Sequence, residues 1–190
     1  RIKKGLTMNE KEKMLLGLSY LATDENLNKE RIKCKLLCSK FNNTPYDDFE
    51  TKTNIIKQIF NKTKDNFLIE PYFWCDYGYN IEIGENFYSN HNLVILDPAK
   101  VTFGDNVFIG PNCGFYTASH PLNPIERNKG LETAEPINVG NNVWFGADVT
   151  VLAGVTIGDN CTIGAGSVVA KDIPSNSIAV GNPCKIVRKI

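Results

Sequence analysis

Among 190 residues only two are histidines, His91 and His120. Histidine is the side chain whose ordinary pKa lies nearest neutral pH, which makes it the first candidate for moving a proton. His120 lies in YTASHPLNPIERNKGLETAEP, residues 116–136, between two segments of very regular sequence. At the root of such an excursion it can face a cleft and serve as a general base. On the residues alone it can equally be an exposed loop side chain. The six cysteines are Cys34, Cys38, Cys75, Cys113, Cys161 and Cys184, with no CxxC pair. Cys34 and Cys38 are four apart in an expected helix and share a face. With no histidine or further cysteine near them, the spacing argues against a metal site and for reduced thiols.

These residues need a scaffold, and composition bounds what it can be. A chain of this length can bury a substantial core. Its apolar content of 42% and charged content of 22% are ordinary for a soluble globular protein. Lys plus Arg and Asp plus Glu both number 21, so no bulk field draws nucleic acid or an anionic membrane. An anionic ligand must be caught by a local cluster. No secretory segment or membrane-length apolar run is present, which gives a cytoplasmic expectation.

Residues 1–65 read as a helical segment. Thr7 to Glu10 has capping-box spacing, and Met14, Leu15, Leu18 and Leu21 follow at helical intervals. Asp24 can cap a second helix carrying Leu27, Ile32, Leu36 and Leu37. Thr44-Pro45 starts a third, with proline at its tolerated first position and Ile55, Ile56, Ile59 and Phe60 inside.

Residues 66–190 follow a different rule. Val139, Phe145, Val151, Ile157, Ile163 and Val169 recur six apart, and Ile137, Val143, Val149, Val155 and Cys161 form a second register. A first coil begins at Ile83-Gly84. A period of six fits a prism of three short strands per coil, with apolar side chains inward and coils stacked as parallel strands. Glycine after the first register suits corners that need unusual backbone angles. Phe115 and Val139 are twenty-four apart, so the register resumes unslipped after an inserted loop, 119–136. Handedness does not follow from the period, and the general crossover rule would give right-handed coils.

Four stretches narrow the reading: CDYGYNIEIG (75–84), NFYSNHNLVILD (86–97), TASHPLNPIERNKGLETAEPI (117–137) and GNNVWFGADVTVLAGVTIGDNCTIGAGSVVAKDIP (140–174). They resemble the maltose and galactoside O-acetyltransferases, a group of hexapeptide-repeat acyltransferases. The likeness extends over nearly the whole chain, and its His-Pro stretch is the most specific part. It implies a mainly β fold: a left-handed parallel β-helix with N-terminal helices and a protruding loop. It also implies acetyl transfer from acetyl-CoA to a sugar hydroxyl by a homotrimer with sites between subunits.

The resemblance implies roles residue by residue. His120 matches the general base, and Asn90 matches a side-chain amide near the reacting carbon, where an oxyanion develops. Asp76 and Tyr88 match acceptor contacts, as does Arg31, and Asp97 is a weaker match. Trp144, Ala147 and Ala165 match positions for pantetheine and adenine. Lys171, Lys185 and Arg188 match positions near the phosphates, and Ala170 stands where some relatives carry a hydroxyl. A carboxylate that some relatives use aligns with Ala22, with Asp24 two residues on, which leaves the sugar open. Each match has a plainer counterpart. Asn90 can be a corner residue, the alanines can be packing, and the cations can be a solvated tail.

Other classes remain to be weighed. The same fold can acetylate an antibiotic, an amino acid or an amino sugar. Zinc-dependent solenoids use three histidine ligands, which two histidines cannot supply, so no metal is expected. A non-enzymatic or ice-binding solenoid would not need the loop.

Overall fold

The computed structural model describes residues 8–190. The repeating part folds as a prism of three parallel sheets. Face one stacks Ile81–Glu82, Val101–Phe103, Ile137–Val139 and Thr156–Ile157. Face two runs from Phe67–Ile69 through Phe87–Ser89, Phe108–Ile109, Trp144–Phe145 and Thr162–Ile163 to Ser177–Val180. Lys185–Lys189 closes it as an antiparallel edge. Face three stacks Phe73–Cys75, Leu93–Leu96, Gly114–Tyr116, Thr150–Val151 and Val168–Val169. Coiling thus starts at Phe67, earlier than the Ile83-Gly84 signal.

Both registers point inward. Residues of the first, from Val139 to Val169, are at most 4% exposed, and those of the second at most 2%. Side chains alternate across each short strand, so residues two apart share the buried side. Phe87, Phe103, Phe115 and Phe145 form an aromatic spine, each ring edge-on to the next with centroids 5.3, 4.9 and 5.2 Å apart.

The corners correct one expectation. The glycines that follow the first register, Gly140, Gly146, Gly158 and Gly164, do not supply the unusual backbone angles. Asparagine does, at Asn86, Asn106, Asn142, Asn160 and Asn176, with φ between 55° and 60°. These five stack at the corner between faces one and two. Each amide donates to the next side chain, over 2.9, 3.1, 2.9 and 2.9 Å. Asparagine tolerates left-handed backbone, and here its side chain also satisfies its neighbours. The glycines answer to crowding instead. A Cβ at Gly140 would lie 2.8 Å from the Asp159 amide nitrogen of the next coil.

Three helices precede the prism. Helix α1 is Glu10–Leu15, capped by a box between Asn9 and Glu12. Thr7, where the sequence suggested the cap, lies outside the described residues. Helix α2 is Glu25–Asn43, capped by Asp24 as expected. Its buried face carries Leu27, Cys34, Cys38 and Phe41, whereas Ile32 and Leu36 are exposed. Helix α3 is Phe49–Ile59 with Asp48 as its cap, so Pro45 precedes the helix instead of opening it. Asp48 accepts the Thr51 N–H, one of the orphan donors of a helix that starts at Phe49.

Candidate active site

The corner between faces three and one carries no repeat. Asp97 is fully buried there and accepts the N–H groups of Asp76, Tyr77 and Gly78 at 3.0, 2.9 and 2.7 Å. Burial pushes its pKa up to about 7, against three amide donors that favour the charged form. Asp97 is thereby committed to shaping the turn, with its side chain buried within the chain. Gly78 in that turn has φ 76°, and a Cβ on it would meet the Ile59 carbonyl at 2.4 Å. Asp76 is partly exposed and paired with Lys35 at 3.0 Å. Arg31 reaches the same corner from α2, donating to the Tyr77 hydroxyl at 2.6 Å and the Ala22 carbonyl at 2.7 Å.

The loop leaves the prism at this corner too. It is an antiparallel hairpin of Ala118–Ser119 and Leu131–Ala134, with a one-turn helix, Pro124–Arg127, at its far end. Its outer strand pairs with Tyr20–Leu21, so the N-terminal segment braces it. His120 follows the first hairpin strand with its side chain 56% exposed, and its Nε2 stands 3.7 Å from Glu132 Oε1. The other Glu132 oxygen accepts from the Tyr20 hydroxyl at 2.7 Å. Burial, reinforced by that bond, drives the Tyr20 phenol well above its ordinary pKa, which keeps it a donor. Sequence reading missed Tyr20 and Glu132. Their one signal was an acidic residue in the second half of the loop holding the histidine.

A second group occupies the corner between faces two and three. Ladder bonding aligns Asn90, Gly110, Gly146 and Gly164 in one column, through Asn90 N–H to Ile109, Gly110 N–H to Phe145 and Gly146 N–H to Ile163. Ala147 and Ala165 follow in the adjoining column, as their spacing predicted. The Asn90 side-chain oxygen accepts the His91 N–H at 2.7 Å, which leaves the amide nitrogen as the group able to donate. The His91 ring is exposed and its Nδ1 lies against the Pro71 carbonyl. Tyr88 lies mid-strand on face two, in register with Phe108, which is in register with Trp144. Trp144 is exposed and opens on a groove of about 290 Å³ with Phe108, Thr162 and Ile190. Lys185 and Arg188 are exposed on the closing strand of face two. Ala170 and Lys171 are exposed at the corner between faces three and one, apart from those two cations.

The chain therefore divides its candidates between opposite edges of face three. Arg31, Asp76, His120 and Glu132 stand at one edge, and Asn90 with the alanine column at the other. Within one chain His120 and Asn90 do not meet.

A family profile described as the maltose acetyltransferase hexapeptide capping motif matches residues 13–64, and one described as bacterial transferase hexapeptide (six repeats) matches 136–171. A crystal structure of a maltose O-acetyltransferase from Clostridium difficile 630 superposes with a TM-score of 0.94 at 50% identity, covering 96% of this chain and 98% of that one. The chain belongs to the maltose and galactoside O-acetyltransferase family. The galactoside O-acetyltransferase of Escherichia coli (strain K12) is 42% identical over 185 residues, 97% of this chain and 92% of its own. A galactoside acetyltransferase structure in complex with coenzyme A gives a TM-score of 0.93 at 42% identity, covering 97% of this chain and 92% of that one. Family membership makes this chain an acetyltransferase of the hexapeptide class.

Among the described residues no helix is long and apolar enough to cross a membrane. One sequence expectation about cysteine is overturned. Cys34 and Cys38 do have a further cysteine beside them, because strand Phe73–Cys75 delivers Cys75 to the buried face of α2.

Proposed function

We propose that this protein transfers an acetyl group from acetyl-CoA to a hydroxyl of a sugar of the maltose, glucose or galactoside type. One observation carries the reading: an exposed histidine at the root of a braced hairpin, with a carboxylate held behind it by a buried tyrosine. His120 takes the proton of the acceptor hydroxyl as its oxygen attacks the thioester carbonyl. The Asn90 amide donates to the oxyanion that forms. The C–S bond then breaks, and His120 returns its proton to the departing thiol. Glu132 holds the imidazole and balances its charge between these two transfers.

His120 and Asn90 stand at opposite edges of one face, which supports a homotrimer in which each site draws on two chains. Asp76, Tyr88 and Arg31 bind the acceptor, and Asp97 acts behind them by setting the turn. The coenzyme lies along the small-residue corner of Ala147 and Ala165, with Trp144 beside it. The column of Gly110, Gly146 and Gly164 beside the two alanines leaves room for a thin pantetheine arm. Lys185 and Arg188 of one chain, with Lys171 supplied by the neighbouring chain of the trimer, meet the phosphates. Ala170 contributes no side-chain hydrogen bond.

A thiol-release assay across glucosides, galactosides, maltose, chloramphenicol and serine tests the acceptor. Turnover on the sugars is expected. Activity on chloramphenicol or serine with none on sugars overturns the assignment and leaves a hexapeptide acetyltransferase for a non-sugar acceptor. In the same assay Lys185→Ala and Arg188→Ala are expected to raise the KM for acetyl-CoA. A rise in the sugar KM alone would place those cations at the wrong end.

A further inference from the structure

Among the described residues Cys34, Cys38 and Cys75 form the one group of side chains whose ligand atoms converge as a metal site requires. Cys34 and Cys38 lie one turn apart on α2, and Cys75 ends the first strand of face three. The sulfur of Cys75 is 3.4 Å from that of Cys34 and 3.8 Å from that of Cys38, and all three fall within 4.8 Å of one another. Their residues are 4%, 0% and 0% exposed.

Elsewhere this protein uses buried cysteine differently. Cys113 and Cys161 each sit alone in the second register of the prism or its equivalent. Each thiol points at a carbonyl of a neighbouring coil, Gly146 at 3.2 Å and Pro174 at 3.3 Å. Those are small core residues with a weak donor satisfied. Three thiols aimed at one another are a different arrangement, and filling the space needs only apolar side chains.

Metal–thiolate bonds to ions of this size are about 2.3 Å long, so three sulfurs around an ion in their plane stand about 4 Å apart. The two sulfur separations of Cys75, 3.4 and 3.8 Å, are slightly shorter than a side of that triangle, and no pair is more than 4.8 Å apart, so small side-chain shifts would admit the ion. No histidine or carboxylate completes the group among the described residues. A tetrahedral zinc site would lack its fourth ligand, whereas three thiolates complete a trigonal shell for a softer ion. We propose that Cys34, Cys38 and Cys75 form a binding site for a soft monovalent cation of the copper(I) class.

Access and charge support it. Cys34 lines a surface cavity of about 220 Å³ together with Lys33, Leu37, Tyr77 and Tyr79, which gives an ion a route to the sulfurs. Each copper–sulfur bond releases one thiol proton to solvent, so the loaded site carries excess negative charge and no redox change occurs. Lys35 sits over it, its Nζ 3.2 Å from the Cys75 carbonyl. Both partners of that lysine, Cys75 and Asp76, belong to the turn at the acceptor edge.

The test is anaerobic titration of the reduced, metal-free protein with copper(I) delivered as its bicinchoninate complex. The expected result is uptake of one equivalent per chain, with near-ultraviolet thiolate-to-copper absorption and a raised Tm. Cys34→Ala and Cys38→Ala should each weaken uptake by roughly 100-fold, while Cys113→Ser, Cys161→Ser and Cys184→Ser keep it. Circular dichroism melts of the metal-free variants separate lost binding from lost folding, and Cys34→Ala, at the cavity edge, is the variant least exposed to that confusion. Three outcomes overturn the site: no uptake by the wild-type protein, unchanged uptake in a folded Cys34→Ala variant, or tight zinc binding without copper(I) binding.

Discussion

Two corners of the same prism spend their polar groups in opposite ways. Between faces one and two, five asparagines repeat coil after coil. Four of the five amides in that column are committed to a neighbouring asparagine. Between faces three and one, no residue type repeats. There a buried aspartate ties down a turn, a lysine pairs with Asp76, and the chain departs into a hairpin bearing a half-exposed histidine. The asparagine corner largely satisfies itself, whereas the titratable side chains gather where the repeat is broken. The broken corner then needs props from outside the prism, which α2 and strand Tyr20–Leu21 supply.

Substitutions can pull the two regions apart. The largest effect should come from His120→Ala, which is expected to lower turnover by about 10²–10⁴ while leaving acetyl-CoA affinity and Tm near normal. Steady-state kinetics and a melt on the same sample check it, and a variant keeping most of its rate would remove His120 from the mechanism. Phe115→Ala should do the reverse. It cuts the middle of the aromatic spine, where the ring is fully buried, and should cost about 3–5 kcal/mol of stability in denaturant unfolding. If unfolding shifts by less than about 1 kcal/mol, the spine is not what holds the coils together.

What could be read in advance follows the same divide. Contacts in the prism recur at fixed separations, such as the eighteen residues between Asn142 and Asn160, so the period itself reports them. The inward registers, the stacked alanines and the unslipped return after the loop were all legible for that reason. The props are not periodic. Tyr20 meets Glu132 across 112 residues, and Cys34 meets Cys75 across 41, with no spacing to announce either. The burial of Asp97 beneath three N–H groups is likewise invisible in the motif that contains it. The helices were misread where tertiary packing chose the face. Cys34 and Cys38 turned inward on α2, and Ile32 and Leu36, the stronger hydrophobes, turned out.

A smaller effect tests how the repeating corner works. Asn86 heads the asparagine column with φ 55° and a single side-chain bond to Asn106 at 2.9 Å. Asn86→Ala loses that bond and also asparagine's tolerance of left-handed backbone, for about 2 kcal/mol together. Asn86→Gly loses only the bond and should cost about 1 kcal/mol. Equal costs in denaturant unfolding would mean that backbone angle contributes nothing at this corner. Neither change should alter turnover.

The smallest effect is expected at Glu132, and its size discriminates between two roles. The carboxylate stands 3.7 Å from the imidazole, too far for a hydrogen bond, and the histidine side chain is more than half exposed. A pair so placed contributes at most about 1 kcal/mol once solvent screens it. Glu132→Gln keeps the shape and an acceptor for Tyr20 but removes the charge. Turnover should therefore fall no more than about fivefold, with the KM for acetyl-CoA unchanged. A loss approaching that of His120→Ala would show that the two side chains close into a true hydrogen bond when acceptor and coenzyme are bound. An unchanged rate would reduce Glu132 to a strut that Tyr20 uses to fasten the hairpin, and the histidine at the broken corner would then act without a partner from its own chain.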